Sequence, residues 1–243
     1  MKVHKKWLTK NKKDQTKENK DKFVFTNNHG CAFLKADFMS SLDSNSKLKM
    51  MEIGCQEGNV SIKLIKEYLR HSDSRMYCLD LFPPDKLGME RNFDHNISLL
   101  GDDASKVIKC SGPSWKSLRN LSTEENFESF DLIYVDGWHG AHGVLDDAVL
   151  SWKLLKVGGF LVFDDYSWSK AGMKDFRKPK LAIDSFIKIF KIFFNETKAG
   201  NQKCFKKTVS NDMEIRRCQE KGGSDELSSK YFVDLKEGDS YEQ

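Results

Sequence analysis

Glu52-Ile53-Gly54-Cys55-Gln56-Glu57-Gly58 follows a short apolar run at 48–53 and precedes helical spacing in Val60, Leu64, Ile65, Tyr68 and Leu69. A short apolar strand, a glycine-bounded turn and an amphipathic helix, in that order, make the first half of a βαβ unit. Gly54 and Gly58 let the backbone pass close to a ligand, where a side chain would collide. A tight packing turn would use the same two glycines.

Outward from this turn the same alternation continues. Apolar runs occupy 76–79, ending at Asp80, and 97–100, followed by Gly101-Asp102-Asp103. Two more occupy 132–135, ending at Asp136, and 160–163, ending at Asp164-Asp165. Helical spacing fills the interval in Val144, Leu145, Ala148, Val149, Trp152 and Leu155, until Gly158-Gly159 stops it, and a later stripe runs through Ile183, Phe186, Ile187 and Phe190. Continuously apolar strands alternating with helices predict an α/β fold with a parallel sheet covered on both faces. Ligands bind beyond the carboxyl ends of such strands, and every run carries Gly or Asp at that end.

Charge sharpens the reading. The chain has 243 residues and a formal net charge of +4. Residues 1–22 hold nine lysines against Asp14, Glu18 and Asp21, so the remaining body is slightly acidic. A wholly basic nucleic-acid-binding domain is disfavoured. We expect three parts: a basic, disordered arm at 1–22, a domain at 23–210, and an acidic, mostly flexible tail at 211–243, where Tyr231-Phe232-Val233 can form a short docking segment. No run approaches membrane-spanning length, and no apolar signal segment follows the N-terminal lysines. The six cysteines are scattered without a C-x-x-C pair, which suggests reduced thiols in a cytoplasmic protein.

The ligand chemistry can be narrowed. Asp80 lies 22 residues beyond Gly58, at a strand end where a carboxylate can accept from both ribose hydroxyls. A pyrophosphate would be repelled by Glu52 and Glu57, so adenosine attached to a cation fits better, which points to S-adenosylmethionine. Asp102 and Asp103 either accept from an adenine amino group or cap a helix beginning at Ala104. Asp136, Asp164 and Asp165 end two neighbouring strands. Crowded carboxylates raise one another's pKa, and a hard divalent cation such as Mg²⁺ relieves that conflict. Alternatively, Asp164 or Asp165 caps the next helix and Asp136 touches the cofactor. His139 stands three residues beyond Asp136, where a neutral imidazole can accept a hydroxyl proton; it can equally bond the cofactor or cap the helix from Ala141. His142 is a weaker second candidate.

With these motifs in order, the sequence resembles the class I S-adenosylmethionine-dependent methyltransferases, and more narrowly the metal-dependent O-methyltransferases acting on sugars and other small molecules (methyltransferase domain 24 type). The matching segments are Glu52 to Ser61, Leu79-Asp80, Gly101-Asp102, Val135-Asp136-Gly137-Trp138-His139 and Gly158-Gly159 to Tyr166, with Gly200-Asn201-Gln202 and Lys206 resembling the closing hairpin. The resemblance implies a Rossmann-like seven-stranded, mostly parallel sheet with helices on both faces and a C-terminal antiparallel hairpin. It implies cofactor contacts at Glu52, Gly54, Cys55, Glu57, Gly58, Ser61, Asp80, Asp102, Asp103, Asp136 and His139. It also implies a cation on Asp136, Asp164 and Asp165, catalysis by His139 and Asp136, and a small-molecule hydroxyl as acceptor. Methylation of RNA or protein guided by the basic arm, and a catalytically silent cofactor-binding module, are the competing readings. The extra phenylalanines around 183–194 permit a homodimer contact.

Overall fold

The computed structural model describes residues 21–26, 31–83 and 88–212. Most of the basic arm, the tail beyond Asp212 and the segment Tyr231-Phe232-Val233 lie outside the described residues. Seven strands form one sheet: β1 (Lys49–Ile53), β2 (Arg75–Asp80), β3 (Val107–Ser111), β4 (Phe130–Val135), β5 (Leu155–Phe163), β6 (Phe194–Ala199) and β7 (Gln202–Lys207). Their order is β3-β2-β1-β4-β5-β7-β6. The first five strands pair in parallel, while β7 runs antiparallel between β5 and β6. Five α-helices pack on the sheet: α1 (Asn59–Tyr68), α2 (Met89–Ser98), α3 (Ser114–Leu121), α4 (Ala141–Leu154) and α5 (Pro179–Phe190). The expected Rossmann-like architecture, with its closing hairpin across Gly200-Asn201, is what the chain adopts.

Strand alternation divides the core into two layers, because successive side chains point to opposite faces. Leu132, Tyr134, Phe160 and Val162 face α1 and the two 3₁₀ turns at Ala32–Lys35 and Asp37–Ser41. Ile133, Val135, Leu161 and Phe163 face α3, α4 and α5, where Trp152 and Phe186 are fully buried. Both faces of the parallel part are thereby dry. No helix among the described residues is long and apolar enough to cross a membrane.

Three local expectations need correction. Residues 97–100 are not the third strand: 97 and 98 end α2, and Phe93, Ile97 and Leu100 are one helical stripe turned toward the core. The third strand is Val107–Ser111, half-exposed along its length as the sheet's outer strand. No α-helix begins at Ala104, which lies in a 3₁₀ segment, Gly101–Lys106, leading into β3. Likewise α4 ends at Leu154, and β5 begins at once, so Gly158 and Gly159 fall inside a strand where its register against β4 shifts.

The order reverses between β1 and β4, and their turns pack backbone to backbone. Gly54 has φ +90°, and a Cβ there would collide with the Asp136 carbonyl and lie 2.8 Å from the Gly137 Cα. The Asp136 amide donates to the Ile53 carbonyl at 2.9 Å, and the Gly54 amide to Leu79 at 2.7 Å. Beneath this junction Asp147 of α4 is 1% exposed, and neither its carboxylate oxygens nor Ser151 Oγ has a hydrogen-bond partner among the described residues. Burial pushes the Asp147 carboxyl up to about 7; the nearby Ser114 hydroxyl opposes this without completing a bond of good geometry.

Two predictions follow from the junction. Gly54→Ala is expected to cost roughly 3 kcal/mol or more, read as a lower urea midpoint, because two backbones would have to separate. Native Asp147 retains a proton that the unfolded chain releases near 3.8, so this group lowers stability as pH rises between 3.8 and about 7. Asp147→Asn should flatten that fall and melt roughly 5 °C higher at about pH 8. Parallel melting curves for variant and wild type would contradict the assignment.

Candidate active site

The turn after β1, the end of β4 and the segment at Phe25 line an open cleft, with Phe25, Glu52, Gly54, Gln56, Glu57 and Asp136 among its walls. Gln56 holds φ +47° at its floor. Asp80, at the end of β2, accepts from the Gln56 amide at 2.8 Å and the Phe82 amide at 2.9 Å. Each carboxylate oxygen has a second lone pair, so Asp80 is fixed in direction and still able to accept.

Several expected cofactor residues serve the cleft indirectly. Glu52 is buried in its wall, accepts from the Ser61 hydroxyl, and is pushed up to about 7 by burial, with Asp80 adding to the shift. Ser61 is fully buried and orients Glu52; the Cys78 thiol donates to it at 3.1 Å. The Cys55 thiol points into the core against Cys78, and burial raises its pKa, so only its backbone can face a ligand. Gly58 has φ +83°, and a Cβ there would press on the Phe93 ring at 3.2 Å; its freedom serves the packing of α2. Glu57 lines the cleft, but its carboxylate is engaged by Thr26 and Asn92.

Asp102 and Asp103 must be taken out of the site. They precede β3, at the opposite edge of the sheet, where Asp103 accepts from Lys106 Nζ at 2.6 Å and Lys106 also donates to the Leu69 carbonyl that ends α1. The place expected for them, beyond the end of β3, holds Ser111-Gly112-Pro113-Ser114. Gly112 ties this turn to the end of β2 through a 2.9 Å bond to the Asp80 carbonyl. The Gly-Pro turn after Val107-Ile108-Lys109-Cys110 is the signal that locates it in the sequence.

Beside the cleft, β4 and β5 bring the acidic residues together. One ligand atom each from Asp136, His139 and Asp165 lie within 4.8 Å of one another. Asp164 is outside that set, yet its charge acts on Asp136. Burial first, and then Asp164, Asp165 and Glu52, push the Asp136 carboxyl up to about 9. His139 Nε2 lies 2.8 Å from Asp165 Oδ2, and its ring packs on Trp168 with centroids 4.4 Å apart. Asp165 has φ +56°, a left-handed conformation that Asp tolerates better than most residues. His142 is exposed on the first turn of α4 and outside the cluster. Trp138 lies against Gly140 and Gly143 and keeps 68% of its surface open at the mouth.

Two residues that sequence reasoning missed hold this cluster. Gln202 on β7 donates from Nε2 to Asp164 at 2.8 Å and to the Tyr134 hydroxyl at 3.2 Å, while its Oε1 accepts from the Phe33 amide at 2.7 Å. The Tyr134 hydroxyl reaches Asp136 at 3.4 Å. The Gln202 contacts link distant parts of the chain, whereas Tyr134 and Asp136 are two residues apart on the same strand end.

The family model described as a methyltransferase domain matches residues 51–166. No curated protein matches the sequence. Among solved structures, a putative O-methyltransferase from Klebsiella pneumoniae is similar at TM-score 0.58 and 16% identity, over 81% of this chain and 89% of that one. The O-methyltransferase TomG from Streptomyces achromogenes, involved in tomaymycin synthesis and solved with SAM, has TM-score 0.51 and 17% identity, over 71% and 78%. MycE methyltransferase from the mycinamycin biosynthetic pathway, solved with Mg, SAH and mycinamycin VI, has TM-score 0.51 and 16% identity, over 72% of this chain and 49% of that one. The match to the methyltransferase-domain model spans residues 51–166, and the strands and turns within it have the fold of these solved methyltransferases.

Proposed function

We propose that this chain transfers a methyl group from S-adenosylmethionine to a hydroxyl of a sugar or another small molecule, assisted by a divalent cation and with His139 as general base. The observation that carries the reading is the convergence of Asp136, His139 and Asp165 beside the Gly54 cleft. Binding a cofactor alone requires no such group.

The residues fit both ligands. Asp80 has a fixed carboxylate for the ribose hydroxyls, and the acidic wall at Glu52 and Asp136 favours a cationic sulfur over a phosphate. The neighbours that raise Asp136 are themselves carboxylates, which is the charge environment a hard cation neutralises. Asp136 and Asp165, whose ligand atoms lie close together, would hold the ion, with the Asp164 carboxylate adding negative charge beside them. The SAM in TomG and the Mg with SAH in MycE support the same pair of ligands here.

When bound, the cofactor supplies an electrophilic methyl group and the cation stabilises negative charge on the acceptor oxygen. The chain's own residues position and deprotonate. Asp165 and Trp168 fix the His139 ring. With its Nε2–H donated to Asp165, a neutral His139 offers the Nδ1 lone pair to the acceptor's proton. Gln202 and Tyr134 orient Asp164 and Asp136.

Calorimetry with S-adenosylhomocysteine should show binding. Screening methyl transfer onto sugars and catechols should reveal activity that EDTA removes and Mg²⁺ restores. His139→Ala is expected to lower kcat by about 10²–10⁴-fold. Absence of cofactor binding would sink the methyl-transfer reading. Activity indifferent to EDTA and to Asp164→Ala/Asp165→Ala would remove the cation from it.

A further inference from the structure

Residues 22–26 have no helix or strand of their own, yet almost every one of them is tied to the cofactor half of the domain. Asn96, fully buried on α2, treats Val24 as a strand partner: the Val24 amide donates to Oδ1 at 2.7 Å, and Nδ2 donates to the Val24 carbonyl at 2.8 Å. The same Nδ2 lies 2.9 Å from the Glu57 carbonyl. The Glu57 carboxylate in turn accepts from the Thr26 amide at 2.6 Å and its hydroxyl at 3.1 Å, and from Asn92 Nδ2 at 2.9 Å. His95 Nε2 lies 3.0 Å from the Lys22 carbonyl, and the Lys66 ammonium sits 4.4 Å above the Phe23 ring.

Burying two asparagines and a glutamate is costly unless their polar atoms are satisfied. Here the 22–26 backbone satisfies Asn96 and, through the Thr26 amide, Glu57, whose other oxygen takes the Asn92 amide. Phe25, between the two hydrogen-bonded residues Val24 and Thr26, lines the cleft with Glu52, Gly54 and Gln56, and its ring stacks 6.0 Å from that of Phe23. A segment that only covered the core would have no need to place an aromatic ring there, since Val24 already fills the apolar position.

We propose that Phe25 is a cofactor-contact residue, and that Asn96, Glu57 and Asn92 are positioning residues that hold its ring against the bound cofactor. This rests on the cofactor reading above. It also gives Glu57 a different part from the direct contact its place in the glycine turn suggests.

The test is calorimetric titration of the full chain with S-adenosylhomocysteine, with thermal melts to establish that each variant is folded. Phe25→Ala should weaken binding about tenfold, the scale expected for losing a packed aromatic face. Phe25→Leu should recover part of that loss. Asn96→Ala should weaken binding comparably, and the double variant should bind no more weakly than Phe25→Ala alone, because the asparagine acts through the ring. If Asn96→Ala does not fold, Thr26→Ala, which removes one exposed hydroxyl bond to Glu57, takes its place in the cycle. Wild-type protein that binds no S-adenosylhomocysteine would overturn the cofactor reading and this assignment with it. Wild-type binding with unchanged affinity in Phe25→Ala would overturn the assignment alone. Losses that simply add in the double variant would overturn the positioning role.

Discussion

Gly54 and the Asp136–Gly137 backbone occupy neighbouring space above the β1–β4 pair, closer than any side chain at position 54 would permit. That contact locks the cofactor-side turn to the turn that carries the chemical residues. It sets Asp136 into the same cleft as Glu52 and beside the acidic end of β5, where burial and like charges act on one carboxyl. A low-dielectric edge crowded with acids is unfavourable to the empty protein and favourable to cationic ligands. The placement of the strand ends and the acidic character of the cleft therefore share one geometric cause.

The acidic edge is also braced. Gln202 reaches Asp164 and Tyr134 from the antiparallel hairpin, and Tyr134 reaches Asp136. Asp165 takes up a left-handed backbone conformation and holds His139 by its imidazole. Backbone strain and side-chain bracing concentrate where direction matters to the chemistry.

Much of this was readable from the order of residues. Strands ending in Asp80, Asp136 and Asp164-Asp165 announce the sheet and its acidic carboxyl edge, because buried parallel strands are continuously apolar and their termini stand out. The third strand was not readable in the same way. As the outer strand, Val107–Ser111 is half-exposed and interrupted by Lys109, whereas Ile97 and Leu100 are the apolar stripe of a helix that looks like a strand when read in isolation. That one exchange moved Asp102 and Asp103 to the wrong edge. Within the glycine turn, sequence spacing identified the loop but not which way its side chains point. Cys55 and Ser61 turn inward, Glu57 turns to Thr26 and Asn92, and the partners that decide this lie tens of residues away. Phe25, Asn96 and Gln202 belong to the same class of long-range contact.

The position of Gln202 bears on how the protein is made. Its strand, β7, inserts between β5 and β6 and follows both in the chain. During synthesis from the N-terminus, the parallel strands, the glycine turn and the acidic residues all leave the ribosome first. Asp164 meets its amide partner, and Tyr134 its second one, only when β7 pairs with β5. A nascent polypeptide ending before residue 202 thus carries the acids without the strand that orders them.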